Sequence, residues 1–278
     1  KILEYTQECR QRNIRILPPD VNKGYSGFVV EGDNLRYGMA AIKNVGRGFI
    51  ERMTQEREMN GRFLNFSDFC ERMASAADLN KRALENMIRA GAFDRSGANR
   101  PQMLAVFESA MDANISQRKQ NVDGQLSLFD LAFGGEEPIF EEHRAMPNLP
   151  DFPLRTRLAM EKEVSGVYIT GHPLDDYRDI LAELTFSTAD LEGLEEREDG
   201  GMLLDGRAVD MGGILTEVKG KATKKGAYMG FVTLEDLTGQ IEGLVFPKVY
   251  ERYQGMMAAD DLVVLSGKLS IREEEAPK

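Results

Sequence analysis

The spacing of apolar residues changes near Ala40. Before it, the run GFVVEGDNLRYG has two β-prone stretches around a turn at Gly32, which predicts a hairpin. After it, apolar residues recur every three or four positions, as on the buried faces of helices. We therefore predict a compact all-helical module over residues 40–113, preceded by a separate segment over residues 1–39.

Local signals predict where these helices begin and end. Ser67 is a candidate N-cap, because a serine side chain can accept a hydrogen bond from the first turn of a helix. Gly91 follows the amphipathic run LNKRALENMIRA and suits the end of that helix. Pro101 suits the first turn of a helix running towards Ala113.

Periodicity is weak over residues 114–153, which hold four prolines among many polar residues. This composition predicts a linker. Residues 154–200 contain one amphipathic helix, near Leu158 to Val164, and many acidic side chains. We predict an acidic helical connector there.

An alternating pattern typical of strands takes over at about Gly201. Four strands and one helix are predicted, in the order strand, strand, strand, helix, strand: 202–218, 228–234, 240–245, 247–253 (helix) and 262–270. This is the order of an OB barrel without its fifth strand, which is predicted to lie after residue 278. The predicted fold class is multidomain α+β: a tandem helix-hairpin-helix module, a linker, and an incomplete OB-fold domain over residues 201–278.

Charge is distributed unevenly along the 278 residues, whose net charge is −11. Residues 1–124 hold 19 basic and 16 acidic side chains, whereas residues 130–199 hold 6 and 18. Because salt screens charges over about 10 Å, the basic first part can still bind phosphates. No apolar run is long enough to span a bilayer, so no membrane partner is expected.

Cysteines and histidines give no sign of a metal site. Cys9 and Cys70 are far apart in the sequence, as are His143 and His172, and none has the spacing of metal ligands. We interpret all four as packing or loop residues. Reduced cysteines indicate a cytoplasmic setting.

The run Ile-Lys-Asn-Val-Gly at 42–46 resembles a turn that holds a DNA phosphate on backbone N–H groups and the following helix N-terminus. The alternative is an ordinary helix connection with a glycine cap. A second glycine turn, in RAGAFDRSGANR, raises the odds of a tandem DNA-binding unit. The candidate duplex contacts are Lys43, Asn44, Val45, Gly46, Arg47, Arg89, Gly91, Arg95 and Arg100.

Four lysines occur where the first two predicted strands of the OB fold meet, and two aromatic residues follow them. OB folds often bind nucleic acid at this loop, and aromatic rings stack on unpaired bases. The alternative is a solvated loop, with Phe231 in the barrel core. The candidate single-strand contacts are Lys219, Lys221, Lys224, Lys225, Tyr228 and Phe231.

The pentapeptide QLSLF lies inside the predicted linker and comprises Gln125, Leu126, Ser127, Leu128 and Phe129. A polar anchor with apolar anchors on a flexible segment suits docking into a groove of a partner protein. The alternative is that these side chains pack on the helical module.

Catalytic motifs are missing from the sequence. There is no Asp-x-Asp pair for two metal ions, no P-loop and no nucleophile elbow. We therefore predict that this chain alone is catalytically inactive and holds no metal or cofactor. A free-standing scaffold or repair adaptor, and an independent nuclease, remain as alternatives.

Five blocks in one order resemble the C-terminal half of the alpha subunits of bacterial DNA polymerase III: ILPPDVN, YGMAAIKNVG, LNKRALENMIRAGAFD, AMEKEVSGVYITGHPLDDY and KKGAYMGFVTLEDLTGQIEGLVFP. The resemblance covers essentially the whole chain. It implies that residues 1–39 are the tail of the fingers and that residues 40–113 bind duplex DNA. It also implies that QLSLF binds the sliding clamp, the beta subunit, and that the OB domain lies near single-stranded template.

The same resemblance implies a role in DNA replication, with other replisome subunits as partners of the parent. The parent would be a DNA-directed DNA polymerase, a nucleotidyltransferase that uses magnesium. Its catalytic core would lie upstream of this chain.

Overall fold

The computed structural model describes residues 5–6, 8–9, 12, 14–74, 80–122, 146–191, 204–223, 226–272 and 276–278, with only the backbone for 113–122. Within it the chain divides into two compact units, Lys1–Gly171 and His172–Lys278.

The first unit begins with a small sheet. Its strands are β1 (Ile16–Leu17), β2 (Val29–Glu31) and β3 (Asn34–Arg36), in the order β1-β3-β2. Strands β2 and β3 pair antiparallel across a turn in which Gly32 has φ +63°, a conformation that suits glycine. The predicted hairpin is confirmed.

Helices form the rest of the first unit. They are α1 (Arg47–Asn60), α2 (Phe66–Met73), α3 (Lys81–Arg89), α4 (Arg100–Val122) and α5 (Leu154–Ser165). The elements described within residues 40–113 are helices, as predicted, although α4 continues beyond 113 into the predicted linker. Val164 of α5 is buried in the same apolar core, so α5 belongs to this unit.

Asparagines cap two of these helices. Asn65 Oδ1 accepts a hydrogen bond from the Asp68 N–H at 2.9 Å, and Asn80 Oδ1 accepts one from the Ala83 N–H at 2.8 Å. The N-cap of α2 is therefore Asn65, and the choice of Ser67 was wrong. Both residues are accepted capping types, so composition alone did not separate them.

Aromatic rings fill the centre of the first core. Phe69 meets Phe63 at 4.9 Å and Phe93 at 4.8 Å between ring centroids, in edge-to-face arrangements. Phe66 and Phe93 form a similar pair at 5.2 Å. Such pairs each contribute about 0.5–1.5 kcal/mol beyond the burial of their area. They tie α2 to the turn after α3.

The second unit contains a curled antiparallel sheet. Its elements are the short helix α6 (Arg178–Ala182), strands β4 (Ala208–Ala222), β5 (Tyr228–Glu235) and β6 (Gln240–Val245), helix α7 (Pro247–Tyr253), and strand β7 (Leu262–Lys268). The strand order is β6-β5-β4-β7. Strand β4 pairs with β7 along its first half and with β5 along its second half. This sharing curls the sheet into a half-barrel, which confirms the predicted OB fold.

Candidate nucleic-acid interface

The first candidate hairpin turns at an asparagine. Asn44 has φ +65°, whereas Gly46 is extended, with φ −78° and ψ 147°. The expectation that the glycine makes this turn was wrong. Asparagine is among the few other residues that adopt the left-handed region readily, so its presence beside the glycine was the available signal.

Helix α1 begins directly after this turn with an open N-terminus. Its N-cap, Gly46, provides no side-chain hydrogen bond, and no acidic residue lies in the first turn. Gly46, Arg47 and Gly48 are exposed. The first N–H groups of a helix have no acceptor within the helix, and the helix dipole favours an anion beside them. This end of α1 therefore has the geometry and charge to receive a phosphate.

Neighbouring helices hold the hairpin in place. The Lys43 N–H donates to Val164 O at 2.8 Å, and Asn86 Nδ2 donates to Lys43 O at 2.6 Å. Val45 is only 7% exposed and packs in the core, so its side chain is not available to DNA. Lys43 itself is exposed, and its ammonium donates to Glu163 O at 2.6 Å.

The predicted DNA contact Arg100 is a core residue. It is 1% exposed and pairs with Asp94 through two hydrogen bonds, at 3.0 and 2.8 Å. It also donates to Glu161 Oε1 at 2.9 Å, and Glu161 is completely buried. Burial lowers the pKa of the Arg100 guanidinium, but the hydrogen bonds and charges of the two carboxylates together outweigh it, so the pKa is raised. Arg100 therefore cannot reach a phosphate, and the prediction for it was wrong.

The other residues of the second glycine turn have separate environments. Gly91 has φ +84° at the end of α3, where the Ala92 N–H bonds to Met87 O and the Gly91 N–H to Ile88 O, a Schellman motif. A Cβ at Gly91 would lie 2.4 Å from Arg100 Nη2, so the glycine makes room for that side chain. Arg95 is exposed, whereas Arg89 is partly covered and pairs with Glu85 and Glu163.

Two of the candidate lysines of the OB unit lie on a strand and not in a loop. Lys219 and Lys221 belong to β4, and their partners on β5 are Phe231 and Met229. Residues opposite each other in a ladder share a face, and Lys221 Nζ lies 4.9 Å from the centroid of the Phe231 ring. Phe231 is half-buried on this face, while Val232 points into the core. The alternative that places Phe231 in the barrel core is therefore wrong.

The outer face that carries Lys219, Lys221 and Phe231 also carries an apolar side chain that the sequence analysis missed. Leu244 of β6 pairs with Phe231 in the ladder and is 39% exposed. Tyr228, at the start of β5, is 61% exposed, but it is three residues from Phe231 in a regular strand and therefore lies on the opposite face. The alternation of residues along β6 was the signal that could have placed Leu244 beside Phe231. Lys224 and Lys225, like residues 125–129 and His143, lie outside the described residues.

The described residues contain no group of three or more His, Cys, Asp or Glu side chains suited to a metal ion. Burial raises the pKa of the Cys70 thiol to about 12, which makes it unreactive. His172 is buried, with Nε2 3.4 Å from Glu235 Oε1, as expected for a packing residue. No helix in the described part of the chain is long and apolar enough to cross a membrane.

Comparison with protein families identifies both folds. A family model described as a helix-hairpin-helix motif matches residues 13–103, and one described as an OB-fold nucleic acid binding domain matches residues 209–277. The chain thus combines two kinds of nucleic-acid-binding domain.

Comparison with curated proteins identifies the particular relatives. DNA polymerase III subunit alpha of Saccharopolyspora erythraea is 34% identical over 98% of this chain, that of Mycobacterium leprae 33% over 99%, and that of Escherichia coli 31% over 97%. The chain spans 22% of the length of each of these relatives. It is homologous to one region of the DNA polymerase III alpha subunit.

Proposed function

We propose that this chain is the DNA-binding and sliding-clamp-binding portion of a replicative DNA polymerase alpha subunit. The observation that carries this proposal is the open N-terminus of α1, which lies beside Lys43 and Arg47 within a helix-hairpin-helix match. Backbone N–H groups and flexible cations recognise phosphates without reading base edges. The helical unit is therefore proposed to hold duplex DNA with little sequence preference.

The OB unit is proposed to contact single-stranded template through its outer face. Lys219 and Lys221 supply positive charge along β4, and Phe231 supplies a ring on which a base can stack. The charge on this face is moderated because Lys219 forms an ion pair with Glu217. We therefore propose weak binding that guides the strand.

The peptide QLSLF at 125–129 is proposed to dock on the sliding clamp. Support comes from its sequence and from the homology of the surrounding chain to replicative polymerase subunits. Duplex DNA held by the helical unit would make the clamp contact effectively intramolecular, which strengthens both contacts. The complete alpha subunit would carry out magnesium-dependent nucleotidyl transfer in the cytoplasm with other replisome subunits, whereas this chain alone is proposed to be inactive.

The proposal is tested by titrating a short fluorescein-labelled duplex with the chain and measuring anisotropy between about 50 and 200 mM salt. Wild-type binding should weaken steeply with salt. In the Lys43→Glu/Arg47→Glu variant, the slope of log K against log salt should be shallower by about 1.8, since two phosphate contacts are lost.

Arg62→Glu is the matched control for Arg47→Glu, because Arg62 is also exposed but lies just past the other end of α1. It should retain near wild-type affinity. Binding that is independent of salt, or that survives the double charge reversal, contradicts the proposed phosphate contact.

A further inference from the structure

Glu163, near the C-terminal end of α5, contacts two cationic side chains, Lys43 and Arg89. Lys43 lies in the hairpin that turns at Asn44 before α1. The main-chain oxygen of Glu163 accepts from Lys43 Nζ at 2.6 Å, and its carboxylate Oε2 pairs with Arg89 Nη1 at 2.8 Å. The family match ends at residue 103, so this contact comes from outside the matched motif. A single residue therefore links Lys43 of the hairpin to Arg89 at the end of α3.

The carboxylate and the carbonyl of this residue have opposite effects on an approaching phosphate. The carbonyl is a neutral acceptor that orients the Lys43 ammonium and leaves its charge in place. The carboxylate pairs with Arg89 and so neutralises it. Glu85 also pairs with Arg89, at 2.9 Å, so two carboxylates share one guanidinium.

Exposure indicates that the Glu163 contact can be exchanged for another anion. The side chain of Glu163 is 65% exposed and that of Arg89 is 26% exposed, so water reaches the pair. Exposed ion pairs contribute only about 0–1 kcal/mol, and a phosphate competes with a carboxylate for the same guanidinium fork. Arg100 differs, because its guanidinium and its partner Glu161 are both buried, so a phosphate cannot take the place of that carboxylate.

We infer that Glu163 is an internal competitor of DNA, which occupies Arg89 in the free protein and lowers the affinity of the helical unit for duplex. Displacement of the carboxylate by a phosphate releases Arg89 for binding, so affinity is held below the value that the cations alone would give. This moderation suits a protein that must move along its duplex. The inference rests on the proposed duplex binding and names a residue that regulates it.

The test measures duplex binding by Glu163→Gln, which keeps the main-chain oxygen and removes the charge. Affinity should rise about fivefold at about 0.15 M salt, because no ion pair has to be broken first, and the slope of log K against log salt should stay the same, because the phosphate contacts of the complex are the same. The matched control is Glu58→Gln, because Glu58 is exposed on α1 about 16 Å from its first residue. That distance exceeds the screening length, so the control should not change the affinity.

A second comparison separates competition from a general change of charge or fold. In an Arg89→Gln background, Glu163→Gln should have no effect on affinity, because the competed cation is gone. An unchanged or weaker affinity of Glu163→Gln, or an equal gain in the Arg89→Gln background, overturns the inference. Failure of the wild type itself to bind duplex refutes the proposed function instead, so the two failures are distinguishable.

Discussion

Replacement of Arg100 by methionine should destabilise the first unit without acting on DNA directly. The Arg100 guanidinium is 1% exposed and donates to Asp94, to Glu161 and to the main-chain oxygen of Arg89. Methionine keeps most of the aliphatic volume and removes every one of these hydrogen bonds. The carboxylate of Glu161, which has no exposed surface, then loses its positive partner.

The size of the stability loss depends on the hydrogen bonds that Glu161 keeps in the variant. Removal of one partner of a buried ion pair costs about 3–5 kcal/mol. Glu161 keeps hydrogen bonds from the Ile169 and Thr170 N–H groups and from Thr170 Oγ1, so the lower end applies. A loss of about 3 kcal/mol in a unit of this length lowers Tm by roughly 6–12 °C.

The assay is unfolding followed by far-ultraviolet circular dichroism, which reports mainly on the helices of the first unit. Arg95→Met is the matched control, because Arg95 is exposed in the same turn and its replacement should change stability by about 0.5 kcal/mol or less. Duplex binding should instead be sensitive to Arg95→Met and insensitive to Arg100→Met. Arg95→Met should flatten the salt dependence by about 0.9, and folded Arg100→Met should keep the wild-type slope. A loss of stability below about 1 kcal/mol for Arg100→Met refutes the structural role assigned to it.

Three other perturbations test separate parts of the molecule. Phe129→Ala should weaken binding to a bacterial sliding clamp about 10- to 100-fold in calorimetry, through about 1.5–3 kcal/mol of lost burial, and Gln125→Ala should weaken it less; equal binding by wild type and Phe129→Ala contradicts the clamp assignment. Alanine at both Lys219 and Lys221 should reduce crosslinking to single-stranded DNA, and unchanged crosslinking would assign them to a merely solvated face. Hydrogen bonds from Arg72 and then Asn60 lower the pKa of Glu56 from 4.5, so its contribution to stability is present above about pH 4.5 and is lost as pH falls through the lower folded value. Glu56→Gln should therefore reduce the loss of unfolding free energy as the pH falls below about 4.5. An unchanged pH dependence shows that Glu56 does not contribute to this loss.

Elements defined by local patterns were predicted well from the sequence. The third strand and the helix of the OB fold begin and end where alternation and Pro247 predicted them. The face of α3 formed by Ala83, Leu84 and Met87 is fully buried, as its helical spacing predicted. In each case the deciding interactions are between residues close in sequence, which a pattern can record.

Two of the failures, for Arg100 and for the lysines of β4, have a different cause. An arginine beside a glycine turn suits a phosphate, and the sequence shows nothing of Glu161, 61 residues further along, which holds Arg100 in the core. Lys219 and Lys221 were placed in a loop because the first strand was predicted to end at residue 218, but pairing with β5 extends β4 to Ala222. Such outcomes depend on long-range partners, which override local propensity.

The contacts of α5 explain why the hairpin before α1 is larger than its motif. The Lys43 N–H uses Val164 O, and the Tyr37 hydroxyl donates to Ser165 O at 3.1 Å, so the last turn of α5 supplies acceptors on two sides of the hairpin. Carbonyls in the last turn of a helix have no partner within their own helix, and without Val164 O the Lys43 N–H would lose its acceptor. The carbonyl groups at the end of α5 therefore find donors in the hairpin segment, and the donors of that segment find acceptors in α5. A hairpin built this way owes its geometry to residues on both sides of the QLSLF peptide, and the proposed duplex binding should depend on α5 as much as on Asn44, which makes the turn.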